Sequence, residues 1–248
     1  MANIALAALE SALRDKKLDR TLTTALPPLD QAADACAPTG VATMDACLRN
    51  GMPRGQVSEL AGPRSAGGTT LLLQMLAAAT QRGELVAIVD TFDRLDVASL
   101  AAAGADLERV LWIRGQATGA AEWAVDRAFK ALNLVLQAGG FGFVALDLAD
   151  VPARMLRAIP FTTWLRVQRG VEGRDTACAL LVPEPVSRSA GGLTLTLTGR
   201  TEWTGTSARP RVAGAQLRMR VVSPRRRVDG EVELRSYVAA ESYVAAGL

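Results

Sequence analysis

QVSELAGPRSAGGTTLLLQMLAAAT, residues 56–80, is the stretch that decides the fold. Gln56–Ala61 reads as a short apolar strand and Thr69–Arg82 as a helix rich in alanine and leucine. Between them lie Gly62, Pro63, Arg64, Ser65, Ala66, Gly67, Gly68, Thr69 and Thr70. A strand, a glycine-rich loop and a helix in that order form the setting in which backbone N–H groups cradle a phosphate. The full pattern is G-x-x-x-x-G-K-[ST]. Gly62 and Gly67 take the glycine positions and Thr69 the Mg²⁺-ligand position, but Gly68 stands where the lysine belongs. That lysine is the point charge that holds the β- and γ-phosphates, and glycine supplies none. The loop therefore predicts a phosphate-loop architecture without competence for nucleotide hydrolysis. No nucleotide cofactor is expected, although the helix N-terminus over Gly62–Thr70 retains partial positive charge suited to a sulfate or phosphate.

Outward from the loop, helices and strands alternate. Strands are expected at Leu85–Asp90, Val110–Ile113, Phe141–Leu146 and Thr176–Val182, and helices at Asp96–Ala103, Ala120–Gln137 and Val151–Arg169. Gly139 and Gly140 stop the long helix. Beyond residue 190 the period changes to two: LTLTLT at Leu193–Thr198, QLRMRVV at Gln216–Val222 and VELRSYV at Val232–Val238. That alternation means antiparallel strands with one solvated face. The fold class expected is α/β, with a mostly parallel central sheet flanked by helices and an antiparallel C-terminal extension. Residues 2–18 read as an amphipathic helix, and residues 19–40, with Pro27, Pro28, Pro38 and Gly40, as a linker. The domain division is 1–37 for helix and linker, 38–235 for the core, and 236–248 for a tail in which SYVAA occurs twice.

Composition narrows the function classes. Of 248 residues, 49% are hydrophobic and 21% charged, enough for a sizeable core. There is no histidine, which excludes Ser-His, Cys-His and His-metal chemistry. Cys36, Cys47 and Cys178 are too sparse for a metal cluster or a disulfide framework and suit a reducing cytoplasm. No apolar run reaches the roughly 18–20 residues of a membrane span, and the N-terminus lacks the pattern of a secretory signal. Charge is distributed unevenly. Residues 1–150 carry 13 basic and 17 acidic side chains, whereas residues 151–235 carry 15 basic and 7 acidic. A basic half on a chain of net charge +3 points to a surface for phosphate or an acidic partner.

The flanks of the loop make a resemblance specific. TGVATMDACLRNGMPRGQVSELAGP is similar to the lead-in of RecA-family recombinases, with its Thr-Gly, hydrophobic-Asp and G-x-P-x-G. AIVDTFDRLD resembles the RecA segment that carries the catalytic glutamate two residues after Asp90, where this chain has Phe92. FGFVALDLAD resembles the Walker B strand, with Asp147 in the Mg²⁺-associated place. Asp93, one residue beyond Phe92, points elsewhere on a strand end and is no substitute. Within this superfamily, RGELVAIVDTFDRLD, RVLWIRG and AGGFGFVALDLADVP look like ImuA, and the likeness covers roughly residues 38–235. ImuA is the RecA-like accessory protein of bacterial SOS-induced translesion mutagenesis cassettes.

That resemblance implies a RecA-like core, DNA repair in the SOS response, and work beside ImuB, an inactive Y-family polymerase relative, and beside RecA. It also implies two DNA-facing loops after the Walker B strand. The first maps to Pro152–Asp175 with Arg154, Arg157, Arg166, Arg169 and Arg174; the second maps to Glu184–Gly192 with Arg188 and the pair Gly191-Gly192. Aromatics are scarce, so any binding of single-stranded DNA rests on arginine–phosphate contacts rather than stacking. Arg225, Arg226 and Arg227 follow a Ser-Pro turn and are a further candidate for DNA or partner contact. A solvated face is the competing reading for both arginine groups. Leu6, Leu9 and Leu13 of the N-terminal helix would pack on another copy, on RecA, or on the chain itself. Trp112, Trp123, Trp164 and Trp203 read as core or helix-packing residues. Two other functions stay open: an ATPase in which an arginine such as Arg64 replaces the lysine, and an SOS cell-division inhibitor of the SulA type.

Overall fold

The computed structural model describes residues 35–116, 118–187, 191–206, 209–223 and 231–237. Leu6, Leu9, Leu13, Arg188, Arg225, Arg226, Arg227 and residues 238–248 of the repeated tail lie outside the described residues.

Cys36–Ala37 (β1) and Met52–Pro53 (β2) pair antiparallel and bracket the short helix Ala42–Leu48 (α1). β1 falls within the stretch read as linker, and both its residues are buried. The loop-bearing strand Val57–Ala61 (β3) feeds a 3₁₀ turn, Arg64–Ala66, and then the helix Gly68–Gln81 (α2). Val86–Asp90 (β4), Val97–Ala102 (α3), Val110–Arg114 (β5), Ala121–Ala138 (α4) and Phe143–Asp147 (β6) follow. Asp96 caps α3, accepting from the N–H groups of Ala98 and Ser99. Gly139 ends α4 with φ 69°, a conformation that favours glycine.

The single helix expected over Val151–Arg169 is two helices, Ala153–Ala158 (α5) and Phe161–Val171 (α6). The break sits at Ile159-Pro160: Ile159 is extended, as a residue before proline prefers, and Pro160 starts the second helix. Ala177–Val182 (β7) completes the alternating part, and Thr194–Thr206 (β8), Arg209–Ser223 (β9) and Glu231–Tyr237 (β10) form the extension. β8 and β9 run well past the LTLTLT and QLRMRVV stretches that marked them in the sequence.

Eight strands join in the order β10-β9-β8-β3-β7-β6-β4-β5. Pairing is parallel from β8 through β5 and antiparallel between β8, β9 and β10. The parallel strands β3, β4 and β7 are buried at every residue, and β4 and β7 accordingly read as nearly continuous apolar runs, whereas β3 carries Ser58 and Glu59 inside it. Alternate residues feed two cores. Leu60, Ile88, Ala145 and Leu181 meet α1, α2 and α3 on one face, and Val57, Val89, Leu146 and Leu180 meet α4, α5 and α6 on the other. In β8 the alternation is plain: Leu195 and Leu197 are buried between more exposed threonines. Phe129 and Trp164 join α4 to α6 edge-to-face, with ring centroids 5.1 Å apart. Trp112 and Trp164 pack as expected, but Trp123 and Trp203 do not, being 68% and 62% exposed. Among the described residues, no helix is long and apolar enough to cross a membrane.

Candidate functional site: a phosphate loop packed from within

The loop forms because Gly62 follows the last residue of β3 and the chain must reverse into α2 within a few residues. Gly67 makes the turn at φ 76°, and Gly68 is the first residue of the helix. A side chain on Gly68 would meet Leu181 Cδ1 at 2.7 Å and Leu197 Cδ1 at 3.5 Å. A side chain on Gly62 would meet the Leu197 carbonyl oxygen at 2.5 Å, and one on Gly67 would overlap the Leu217 isobutyl group. The space left between the loop and Ala149, Leu181 and Leu197 is a cavity of about 10 Å³. That is room for about one water.

The acidic side of the site is assembled from two adjacent strand ends, since Asp90 and Asp147 are register partners across β4 and β6. Asp90 is buried and committed to structure: it accepts from the N–H groups of Arg94 (2.9 Å) and Leu95 (2.8 Å) and from Trp112 Nε1 (3.2 Å). Asp147 accepts from the Ala149 N–H at 2.9 Å. Burial pushes its carboxyl up to about 6, Asp90 and Asp150 push the same way, and the Ala149 N–H and Arg64 act against them. Arg64, the residue with a charge to replace the missing lysine, pairs instead with Asp150 at 2.5 Å. Phe92 lies half-buried against the core formed with α4. Asp93 takes a left-handed conformation (φ 58°) and turns to Arg114, which donates two bonds of 2.8 Å to its carboxylate. Around the loop the described residues present glycine rather than lysine at position 68 and phenylalanine rather than a carboxylate at position 92, and the Asp147 carboxyl, raised to about 6, is still mostly ionised at neutral pH.

The structure separates the predicted basic residues. Arg154 is exposed on α5, and Arg157 forms a two-bond pair with Glu184, its Nη2 at 2.7 Å, joining α5 to the segment after β7. That pair holds the Glu184 carboxyl below the usual range. Arg166 and Arg169 are exposed along α6. Arg174 precedes β7 and so lies at the opposite end of the sheet from the loop, where it lines an open cleft of about 560 Å³ with Arg54 and Glu84. It therefore does not share a surface with Arg154 and Arg157. Phe161 is 62% exposed beside this helical pair, the only large aromatic there open to solvent among the described residues.

Glu59 went unread in the sequence although a carboxylate inside VSELA is a visible signal. It is fully buried and accepts from the N–H groups of Val186 (3.0 Å) and Ser187 and from Thr194 Oγ1 (3.3 Å). Ser58 Oγ accepts from the Leu193 N–H at 3.0 Å. The loop-bearing strand thus fastens both ends of the segment between β7 and β8. Burial raises the Glu59 carboxyl above its ordinary value despite those donors.

Comparison with known proteins agrees with this geometry. The family model described as the RecA N-terminal domain matches residues 8–150, more than half of the chain. Protein RecA of Prochlorococcus marinus (strain MIT 9303) is 43% identical over 74 residues, 30% of this chain and 20% of that protein. Protein RecA of Arthrospira platensis is 42% identical over 73 residues, 29% of this chain and 20% of its own length. The chain spans about a fifth of the length of the curated relatives it matches. With the strand–loop–helix unit, the paired strand-end aspartates and the matched span in agreement, the chain belongs to the RecA N-terminal domain family.

Proposed function

We propose that the protein is a non-catalytic RecA-like accessory factor, of the ImuA kind, in SOS-induced translesion mutagenesis. It acts in the cytoplasm through contacts with an ImuB-type Y-family polymerase relative and with RecA, and adds weak binding of single-stranded DNA. One observation supports the non-catalytic part: position 68 carries no lysine, and a side chain there would meet Leu181 Cδ1 at 2.7 Å. A site in that state lacks the phosphate clamp on which phosphoryl transfer depends. The reading with arginine in place of lysine loses support because Arg64 is held by Asp150.

The proposal for DNA and partner contact rests on exposed arginines. Arg154, Arg166 and Arg169 have exposed side chains, and long-range attraction to phosphate needs no more than their charge. The test is co-purification of the full chain with the ImuB-type protein and, separately, with RecA, at low and at high salt. Retention of the ImuB-type partner is expected. Failure of both partners to be retained at low salt would remove the accessory role.

A further inference from the structure

The hairpin β8–β9 meets the loop at every glycine that a phosphate-binding loop keeps open. Leu197 places its carbonyl 2.5 Å and its Cβ 3.1 Å from the position a side chain on Gly62 would take. Leu217 fills the corresponding position at Gly67. Gly199 is what lets the strand come so near, since a Cβ there would lie 3.0 Å from Ala66 Cα and 3.1 Å from its carbonyl carbon. Leu181 of β7 closes the remaining side at Gly68. Ala66, Leu181, Leu197 and Leu217 are all buried in one apolar cluster with α2.

A phosphate-binding loop ordinarily leaves its N–H groups to be satisfied by the ligand, which then holds the loop in shape. Here apolar packing does the holding. We propose that the chain's own leucines, packed on the glycine faces of the phosphate loop, latch the β8–β9 hairpin onto it without any nucleotide. This rests on the non-catalytic reading above and extends it to a conformational consequence. Among the described residues, the hairpin runs beyond the last β10 pair, Tyr237–Gly214, as a two-stranded ribbon ending at Thr206–Arg209. It carries exposed Arg200, Trp203, Arg209 and Arg211. A two-stranded ribbon has little stability of its own, so its direction is set at its root. With Leu197 and Leu217 seated on the loop, that direction does not answer to nucleotide binding.

Hydrogen exchange on the full chain tests the latch. In the wild type, peptides over Gly62–Leu71 should exchange within about twofold of the same rate with or without about 10 mM inorganic phosphate or about 2 mM MgATP. In Leu197→Ala, exchange in Gly62–Leu71 and in Leu195–Gly199 should rise together by about tenfold, because both sides of the contact lose their partner. Leu217→Val, which removes the Cδ atoms nearest Gly67 but keeps an apolar side chain, should give the same joint pattern at about two- to threefold. Added phosphate or MgATP that slows loop exchange in the wild type would overturn the latch, as would loop exchange that Leu197→Ala and Leu217→Val both leave unchanged. An open loop with the ImuB-type partner still retained would sink the latch alone. A closed loop with no partner retained would sink the accessory role alone.

Discussion

Replacing Asp147 by asparagine should stabilise the protein at neutral pH, although the residue occupies the Walker B position. Asp147 is largely buried, faces Asp90 and Asp150, and ionises near 6 rather than at the ordinary 3.8. Its folded form therefore keeps a proton that the unfolded chain has already released. Below about pH 4 both states are protonated and the residue costs nothing. As pH rises towards 6 the unfolded state binds fewer protons than the folded one, so stability falls; above 6 the full loss is in place. The gap between 3.8 and about 6 corresponds to about 3 kcal/mol as a ceiling. Asparagine has no such titration, and its Oδ1 can keep the bond from the Ala149 N–H. Asp147→Asn should thus gain about 1–3 kcal/mol at pH 7.5, or about 2–10 °C in Tm, and the gain should vanish near pH 4. Thermal melts across pH 4–8, with and without MgCl₂, measure it. Destabilisation at pH 7.5, or a wild-type Tm raised by Mg²⁺ that the variant loses, would mean that the carboxylate still binds metal.

Gly67→Ala should cost about 2–5 kcal/mol in urea unfolding, because it adds left-handed strain to an overlap with Leu217. Gly140→Ala is the control: it carries the same strain (φ 80°) with open space at the Cβ, so it should cost only about 1–2 kcal/mol. Equal costs would show that Leu217 is not seated against the loop. Changing Arg225, Arg226 and Arg227 together to alanine should weaken single-stranded DNA binding evenly across sequences and flatten its salt dependence, with Tm unchanged. No DNA binding by the wild type at about 50 mM salt would instead leave the basic half to protein contact or to solvent.

Much of the fold was legible because its signals are local. Continuous apolar runs marked β4, β6 and β7, the LTLTLT alternation marked β8, and Gly139 marked the end of α4. The break at Pro160 was also local and was missed only because the amphipathic pattern continues through it. β1 and β2 have two residues each and exist through their pairing with one another, which no periodicity records. The site divides in the same way. Glycine at position 68 and phenylalanine at position 92 are written in the sequence as residue identity. The packing of Leu197 and Leu217 against the loop is not, because it joins residues more than a hundred positions apart through a strand order that places β8 beside β3. Trp123 and Trp203 show the converse: apolar identity suggested a core that the topology does not provide at an outer helix face or a ribbon end.

Equilibrium binding of MgATP to the full chain, by calorimetry with single-stranded DNA present, is the most direct measurement. A closed, lysine-free loop predicts no saturable heat up to about 1 mM MgATP, an affinity weaker than about −4 kcal/mol. A dissociation constant near 1 μM, about −8 kcal/mol, lost in Thr69→Ala, would show that the loop opens and holds nucleotide.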